Sequence, residues 1–269
     1  MHSTAAHIYI GRSNRYNSWH YDIGGYNLKK RTKILLSILA AVILAVILGS
    51  YAYLSDYYHA DAVAVEAMAA ADDGVRLEQD GNVTWFLPEN PVAGLIFYPG
   101  GKVEATAYAP LLRGFSERGI LCALVKMPGN LAVLSPNAAD GLQQLHPEIT
   151  DWYIGGHSLG GAMAASYVSK YADDYAGLIL LAAYSTKDLT ETSLRVLSIY
   201  GSEDGVMNRD SYEKDRPNLP SDYTEVIIPG GCHAQFGSYG AQKGDGTPTI
   251  SAEEQVWLTA DCVAEFINQ

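Results

Sequence analysis

Basic residues and cysteines are both scarce in this 269-residue sequence. Lysine and arginine total 18 against 30 aspartate and glutamate residues, which leaves a formal net charge of −12. A nucleic-acid-binding protein needs a basic face to displace counterions, so that class is disfavoured. Three cysteines, Cys122, Cys232 and Cys262, are too few for a disulfide framework. Because CxxC and HExxH spacings are also missing, a structural zinc domain is excluded.

Charged residues make up only 18% of the chain and hydrophobic residues 48%. This composition indicates one large folded domain with a sizeable core rather than a disordered chain. The charges are unevenly divided, since positions 1–33 hold six basic residues and one acidic residue, whereas the remainder holds 12 basic and 29 acidic residues. A basic head and an acidic body suggest two different environments.

A run of 22 residues without formal charge spans positions 34–55. As a helix it would be roughly 33 Å long, which matches a bilayer core of about 30 Å. We therefore predict a cytoplasmic tail at 1–33, a transmembrane signal anchor at 34–54, a stalk at 55–73 and an extracytoplasmic domain at 74–269. Basic residues just before the run favour this orientation. The alternative is secretion after signal cleavage, at the small-x-small site Ser50-Tyr51-Ala52.

The acidic body alternates strand-like and helix-like segments. A hairpin turning at Asp80-Gly81 comes first, because Asp-Gly supplies the positive φ of a tight turn. The strands that follow are predicted at 92–98, 120–125, 152–154, 178–181, 196–200 and 223–228. The helices are predicted at 104–118, 137–145, 159–171 and 252–267. The pattern predicts an α/β domain, with a mostly parallel sheet covered by helices on both faces. Ligands of such sheets bind at the carboxyl ends of the strands.

One of these strand ends carries Gly156-His157-Ser158-Leu159-Gly160-Gly161. A Gly-x-Ser-x-Gly pattern between a strand and a helix is typical of a nucleophile elbow, a sharp turn that exposes the serine hydroxyl. Ser158 is the candidate nucleophile. His157 is expected to have a packing or hydrogen-bonding role.

A serine nucleophile needs a general base, and the base needs a carboxylate that fixes its tautomer. Among the seven histidines only His233 follows Ser158, and it lies in a loop after a strand. Asp204 follows the preceding strand and is the favoured carboxylate, with its neighbour Glu203 as the alternative. The chain order Ser, Asp, His is the order found in α/β hydrolases.

Acyl transfer also needs two N–H donors for the developing oxyanion. Leu159 supplies one backbone donor, and the glycine-rich loop Tyr98-Pro99-Gly100-Gly101-Lys102 supplies the other. Gly101 is favoured, with Lys102 as second choice. The candidate substrate-pocket residues are Lys102, Met127 and Phe236.

With these motifs on positions 156–161, 201–204 and 230–233, the sequence resembles the α/β-hydrolase superfamily from about residue 75 onward. It is most similar to the compact, lidless members related to dienelactone hydrolases. The resemblance implies a Ser–His–Asp triad, with no metal and no organic cofactor. The oxyanion loop departs from the common His-Gly pattern, and 182–193 is too short for a large lid domain. An open, small pocket is therefore expected.

The sequence thus predicts a serine hydrolase that acts on carboxylic esters or related small acyl compounds, resembling a carboxylesterase. Its partners are expected to be a small-molecule substrate and, through the N-terminal helix, a membrane. Two alternatives stay open. An acyltransferase would use the same acyl-enzyme with a different acceptor, and a non-catalytic surface protein would keep only the fold.

Overall fold

The computed structural model describes residues 29–70 and 74–269. Most of the tail predicted at 1–33 lies outside the described residues. The chain divides into two compact units, Met1–Gly49 and Ser50–Gln269. Helix α1 (Lys30–Ser55) has no buried residue and is long and apolar enough to cross a membrane, a test that a signal sequence would also pass. The predicted apolar helix at 34–54 is therefore present.

In the described residues of the unit from Ser50 onward, eight strands form one sheet. They are β1 (Val75–Asp80), β2 (Val83–Pro88), β3 (Ala93–Tyr98), β4 (Ile120–Val125), β5 (Trp152–His157), β6 (Gly177–Leu181), β7 (Arg195–Gly201) and β8 (Thr224–Ile228). The order across the sheet is β1-β2-β4-β3-β5-β6-β7-β8. The first two strands form the predicted hairpin and run antiparallel, and strands β3 to β8 pair in parallel.

The α-helices described after residue 55 are α2 (Ala62–Ala69), α3 (Ala109–Ser116), α4 (Leu159–Val168), α5 (Arg209–Asp215) and α6 (Ala252–Ile267). The helix predicted at 104–118 is divided into a 3₁₀ turn at Ala105–Tyr108 and α3. Pro110 lies in the first turn of α3, where its missing N–H costs no helical hydrogen bond. The helix predicted at 137–145 reduces to one 3₁₀ turn at Gln143–Leu145. Gly141 precedes that turn with a φ of 81°, which an α-helix does not allow.

The central strands β3 to β6 are buried on both faces of the sheet. Alternate residues of β3 enter opposite cores, with Leu95 and Phe97 in one cluster and Ile96 and Tyr98 in the other. This is the period-2 pattern of a strand covered on both faces. Full burial of each such side chain contributes about 1.5–3 kcal/mol to folding. The packed sheet is therefore a rigid frame for the loops at its edge.

The described part of the segment interpreted as a stalk, 55–70, makes contacts with later residues of the same unit. Tyr58 forms a parallel bridge with Val103, and Ala67 and Met68 of α2 pack on the hydrophobic core. These residues lie upstream of 74 and within the compact unit Ser50–Gln269.

Candidate active site

Ser158 occupies a strained turn between β5 and α4. Its backbone has φ 52° and ψ −123°, a conformation that L-residues rarely adopt. Its N–H donates to the Leu181 carbonyl at 2.9 Å, and its carbonyl accepts from Ala162 N–H at 3.1 Å. The turn is therefore held from both sides, and the side chain is half-buried at the carboxyl edge of the sheet.

Glycines make this turn possible. A Cβ on Gly160 would collide with the carbonyl oxygens of Tyr98 and Pro99, and one on Gly156 would collide with the same Tyr98 oxygen. The start of α4 therefore packs directly on the end of β3. The expected strand–turn–helix context of the motif is present.

The pairing register of the parallel strands brings the loops of the other candidate residues to the same carboxyl edge of the sheet as Ser158. Tyr98 pairs with Gly156, His157 with Leu181, and Gly201 with Ile228. The loops that follow β3, β5, β7 and β8 consequently leave the sheet side by side, as the rule for parallel sheets requires.

His233 and Asp204 form a buried pair. The His233 Nδ1 lies 2.9 Å from Asp204 Oδ2, and their side chains are 1% and 0% exposed. The other oxygen, Oδ1, accepts from the N–H groups of Val206 at 2.9 Å and Met207 at 2.8 Å. A carboxylate can only accept, so Nδ1 carries the proton and Nε2 carries the lone pair. The Nε2 atom is buried and has no hydrogen-bond partner among the described residues.

Glu203, the alternative carboxylate, points elsewhere. Its Oε1 accepts from the Ser202 hydroxyl at 2.8 Å in an exposed position. The geometry therefore joins His233 to Asp204 and leaves Glu203 outside the pair.

His157 is placed between this pair and the loop after β3. Gly100 N–H donates to the Tyr108 hydroxyl at 2.9 Å, and that hydroxyl lies 2.8 Å from His157 Nδ1. The ring centroids of His157 and His233 are 4.4 Å apart. Burial, and then the neighbouring His233, hold the pKa of His157 well below its ordinary value, so His157 is a neutral hydrogen-bonding residue, as expected.

Two backbone N–H groups beside Ser158 are unengaged. Gly100 N–H is bound to Tyr108, and Lys102 N–H donates to Asn130 at 2.8 Å. The N–H groups of Gly101 and Leu159 donate to no acceptor in the described residues. A Cβ on Gly101 would lie 2.7 Å from the Leu159 side chain, so the two residues are in contact. Lys102, the second choice, therefore has its backbone donor occupied.

The three candidate pocket residues are all engaged. The Lys102 ammonium pairs with Asp56 at 2.9 Å and lies 4.6 Å from the centre of the Tyr53 ring. Met127 is 3% exposed within a core cluster, and Phe236 is fully buried with its ring 5.6 Å from that of His157. Packing and ion pairing account for these positions, and none of the three is free for a ligand in this structure.

No motif in the sequence drew attention to Asp245 and Tyr108, which contact the candidate residues closely. Asp245 accepts from the N–H groups of His233 and Ala234. The only local signal is an acid between two glycines, which does not single it out. In the described part of the chain, no group of three or more His, Cys, Asp or Glu side chains could hold a metal ion.

The sequence pattern of the alpha/beta hydrolase family matches residues 94–257, more than half of the chain. The protein belongs to the alpha/beta hydrolase family. It is therefore a hydrolase of the α/β-hydrolase type, and the predicted family and fold are confirmed. None of the curated proteins compared with it matches the chain.

Solved structures resemble this α/β hydrolase in fold. A predicted CIB-like hydrolase from Thermoplasma acidophilum has a TM-score of 0.53 at 15% identity, covering 71% of this chain and 100% of its own. Est1E from Butyrivibrio proteoclasticus scores 0.52 at 15%, covering 73% and 100%. Dienelactone hydrolase from Anabaena variabilis scores 0.51 at 16%, covering 72% and 98%. At such identities the likeness concerns the fold alone.

Proposed function

We propose that this α/β hydrolase is a serine hydrolase that cleaves carboxylic esters or related small acyl compounds through an acyl-enzyme. The observation that carries the proposal is the buried hydrogen bond from His233 Nδ1 to Asp204 at 2.9 Å, which leaves Nε2 as an unpartnered base. The ring of His233 lies with its centroid 4.4 Å from that of His157, the residue directly before the strained Ser158. Nucleophilic catalysis by a serine requires a base of this kind, an imidazole with one nitrogen free to accept a proton.

Each group has a defined part in the reaction. Ser158 Oγ attacks the acyl carbon while His233 Nε2 takes its proton, and Asp204 stabilises the resulting imidazolium. His233 then delivers that proton to the departing alcohol. Water, activated by the same nitrogen, hydrolyses the acyl-enzyme and releases the acid. In free structures the hydroxyl–imidazole hydrogen bond is often unformed and tightens only when substrate binds, consistent with the unpartnered Nε2.

The oxyanion is assigned to the backbone N–H groups of Gly101 and Leu159. Leu159 is the first residue of α4, where an N–H has no partner within the helix and the helix dipole favours negative charge. Gly101 lies against Leu159, with its neighbours Gly100 and Lys102 fixed by hydrogen bonds to Tyr108 and Asn130. The donor is thus held in place before charge develops, which is how such sites stabilise transition states.

Because His157 is neutral, it does not destabilise the protonated form of His233, the proposed base. If it were protonated, its charge would oppose the His233 imidazolium at a ring separation of 4.4 Å. The lowered pKa of His157, caused mainly by burial, avoids that repulsion.

The proposal is tested by hydrolysis of short p-nitrophenyl esters with the full chain. Ser158→Ala should abolish turnover and leave the melting temperature nearly unchanged, whereas Ser166→Ala, a half-buried serine on the same helix, should retain wild-type activity. Adding a primary alcohol and analysing the products separates hydrolysis from acyl transfer. Wild-type turnover in Ser158→Ala would rule the proposal out.

We further propose that α1 anchors the protein in a membrane with the catalytic unit on the outer side. Its 26 residues reach about 39 Å, enough for a bilayer core, and the preceding basic residues favour a cytoplasmic N-terminus. We expect the protein to remain in carbonate-washed membranes at its full-length mass, and its catalytic unit to be cleaved by protease added outside the cell. A soluble product that begins near Tyr53 would show a cleaved signal instead.

A further inference from the structure

Asp245 binds four backbone N–H groups through one carboxylate. Its Oδ1 accepts from Gly205 at 3.1 Å, from His233 at 3.2 Å and from its neighbour Gly246 at 2.9 Å. Its Oδ2 accepts from Ala234 at 2.8 Å. Half-buried carboxylates that are fully occupied by backbone donors fix the segments that supply those donors.

Three of these four donors come from the two loops that carry the acid–base pair. Gly205 directly follows Asp204, and the other two donors are His233 itself and the residue after it. Within the described residues, the last direct backbone hydrogen bond between the loops joins Glu203 N–H to the Gly231 carbonyl at 2.8 Å. Beyond that point Asp245 bridges the two backbones, while the Asp204–His233 bond joins the side chains.

The approach of Asp245 depends on small neighbours. A Cβ on Gly205 would lie 2.6 Å from the Gly244 carbonyl oxygen, and one on Gly246 would collide with the Glu203 carbonyl. Gly244 itself has a φ of 90°, which favours glycine. The turn at 244–246 therefore packs backbone to backbone against the loop of Asp204.

The charge state of the bridge suits this role. Burial raises the pKa of Asp245, but the N–H donors of Ala234, Gly205 and His233 outweigh it and hold the pKa below its ordinary value. Burial raises the pKa of the Cys232 thiol to about 11, so this thiol stays neutral beside the carboxylate. Asp245 is therefore an ionised acceptor at neutral pH.

We propose that Asp245 is a positioning residue for ester hydrolysis, holding the Asp204 and His233 loops at the separation that their hydrogen bond requires. This inference rests on the proposed function. Displacing a reacting group by about 1 Å lowers rates by about 100-fold, so loss of the bridge is expected to slow the chemical step rather than substrate binding.

The test compares Asp245→Asn with Asp61→Asn in the full chain. An asparagine at 245 must turn its NH₂ group toward backbone N–H donors on one side, which breaks the bridge. Asp61 accepts from Ala64 N–H at 3.1 Å at the start of α2, so Asp61→Asn makes the same chemical change at another carboxylate bound to backbone but leaves the pair untouched. Steady-state kinetics on a short p-nitrophenyl ester and melting temperatures are measured for both variants.

Asp245→Asn should lower kcat about 10- to 100-fold with KM within about twofold, and Asp61→Asn should change neither constant by more than about twofold. If Asp245→Asn is not obtained folded, Asp245→Ser replaces it; its single, shorter acceptor also cannot bridge both loops, so the same loss of kcat is expected. A wild-type kcat in a folded Asp245 variant, or an equal loss in Asp61→Asn, would overturn the inference. Ser158-dependent turnover by the wild-type protein would still support the proposed function in that case.

Discussion

Replacing Asp204 by asparagine tests the orientation of the base. The Oδ1 position is pinned by the N–H groups of Val206 and Met207, so the new amide must keep its oxygen there. Its NH₂ group then faces His233 Nδ1 across 2.9 Å. Two donors cannot share a hydrogen bond, so the imidazole is forced to carry its proton on Nε2, where it cannot accept one from Ser158. Flipping the amide instead would cost two backbone hydrogen bonds, about 1 kcal/mol each.

Asp204→Asn removes a charge-assisted hydrogen bond, which contributes about 1.5–3 kcal/mol. It also removes the buried negative charge that stabilises the His233 imidazolium. Losing one partner of a buried pair costs about 3–5 kcal/mol, so kcat/KM should fall roughly 160- to 5,000-fold. The assay is p-nitrophenyl acetate hydrolysis by the full chain in detergent. Asp188→Asn is the control, because Asp188 also accepts an N–H two residues ahead but is exposed and, among the described residues, makes no hydrogen bond to either member of the pair. A fall of less than tenfold in a folded Asp204→Asn protein would refute the reasoning.

Three further changes test the supporting structure. Tyr108→Phe removes the hydroxyl that joins the loop after β3 to His157. Each buried polar group left unpaired costs about 1–3 kcal/mol, and the oxyanion loop is no longer fixed, so both kcat and the melting temperature should fall. A wild-type kcat would argue against a fixed oxyanion loop. Gly160→Ala should leave little folded protein, because the new Cβ collides with backbone carbonyl oxygens. The control is Gly114→Ala, which should be neutral or stabilising because its Cβ has no atom closer than 3.4 Å. Equal soluble yields of the two variants would contradict this expectation. The pKa of His157 in the folded protein lies below its value of about 6.5 in the unfolded chain. As the pH falls, the unfolded chain therefore takes up a proton on this histidine before the folded protein does. The free energy of unfolding consequently decreases below pH 6.5, by roughly 1.4 kcal/mol at pH 5.5. His157→Gln should show a smaller drop in melting temperature between pH 7.5 and 5.5, and an unchanged drop would contradict the assignment.

The local features of the site were open to prediction from the sequence. The strained turn at Ser158 was predictable because a strand–turn–helix junction is built by neighbours along the chain, with glycines where any side chain would collide. His233 followed from elimination and Asp204 from its place after a strand, and parallel pairing brings both to one edge. Periodicity was sufficient for the sheet because strands covered on both faces read as continuous apolar runs.

Features created by packing between distant segments could not be predicted in this way. The bridge from Asp245 and the hydroxyl of Tyr108 act on backbone groups, which leave no trace in residue patterns. Helix α5 was missed because its seven residues, RDSYEKD, bury only Tyr212, and its start depends on the Asn208 cap. Met127 and Phe236 follow strands and loops as pocket residues would, but hydrophobic packing buries them.

The central claim is that Ser158 is an activated nucleophile, and covalent labelling tests it most directly. The full-length protein is incubated with a fluorophosphonate, digested and analysed by mass spectrometry. A single adduct on the Ser158 peptide is expected, formed rapidly in the wild type and far more slowly in His233→Ala. A folded protein that remains unlabelled, or is labelled equally fast without the His233 imidazole, would contradict the account.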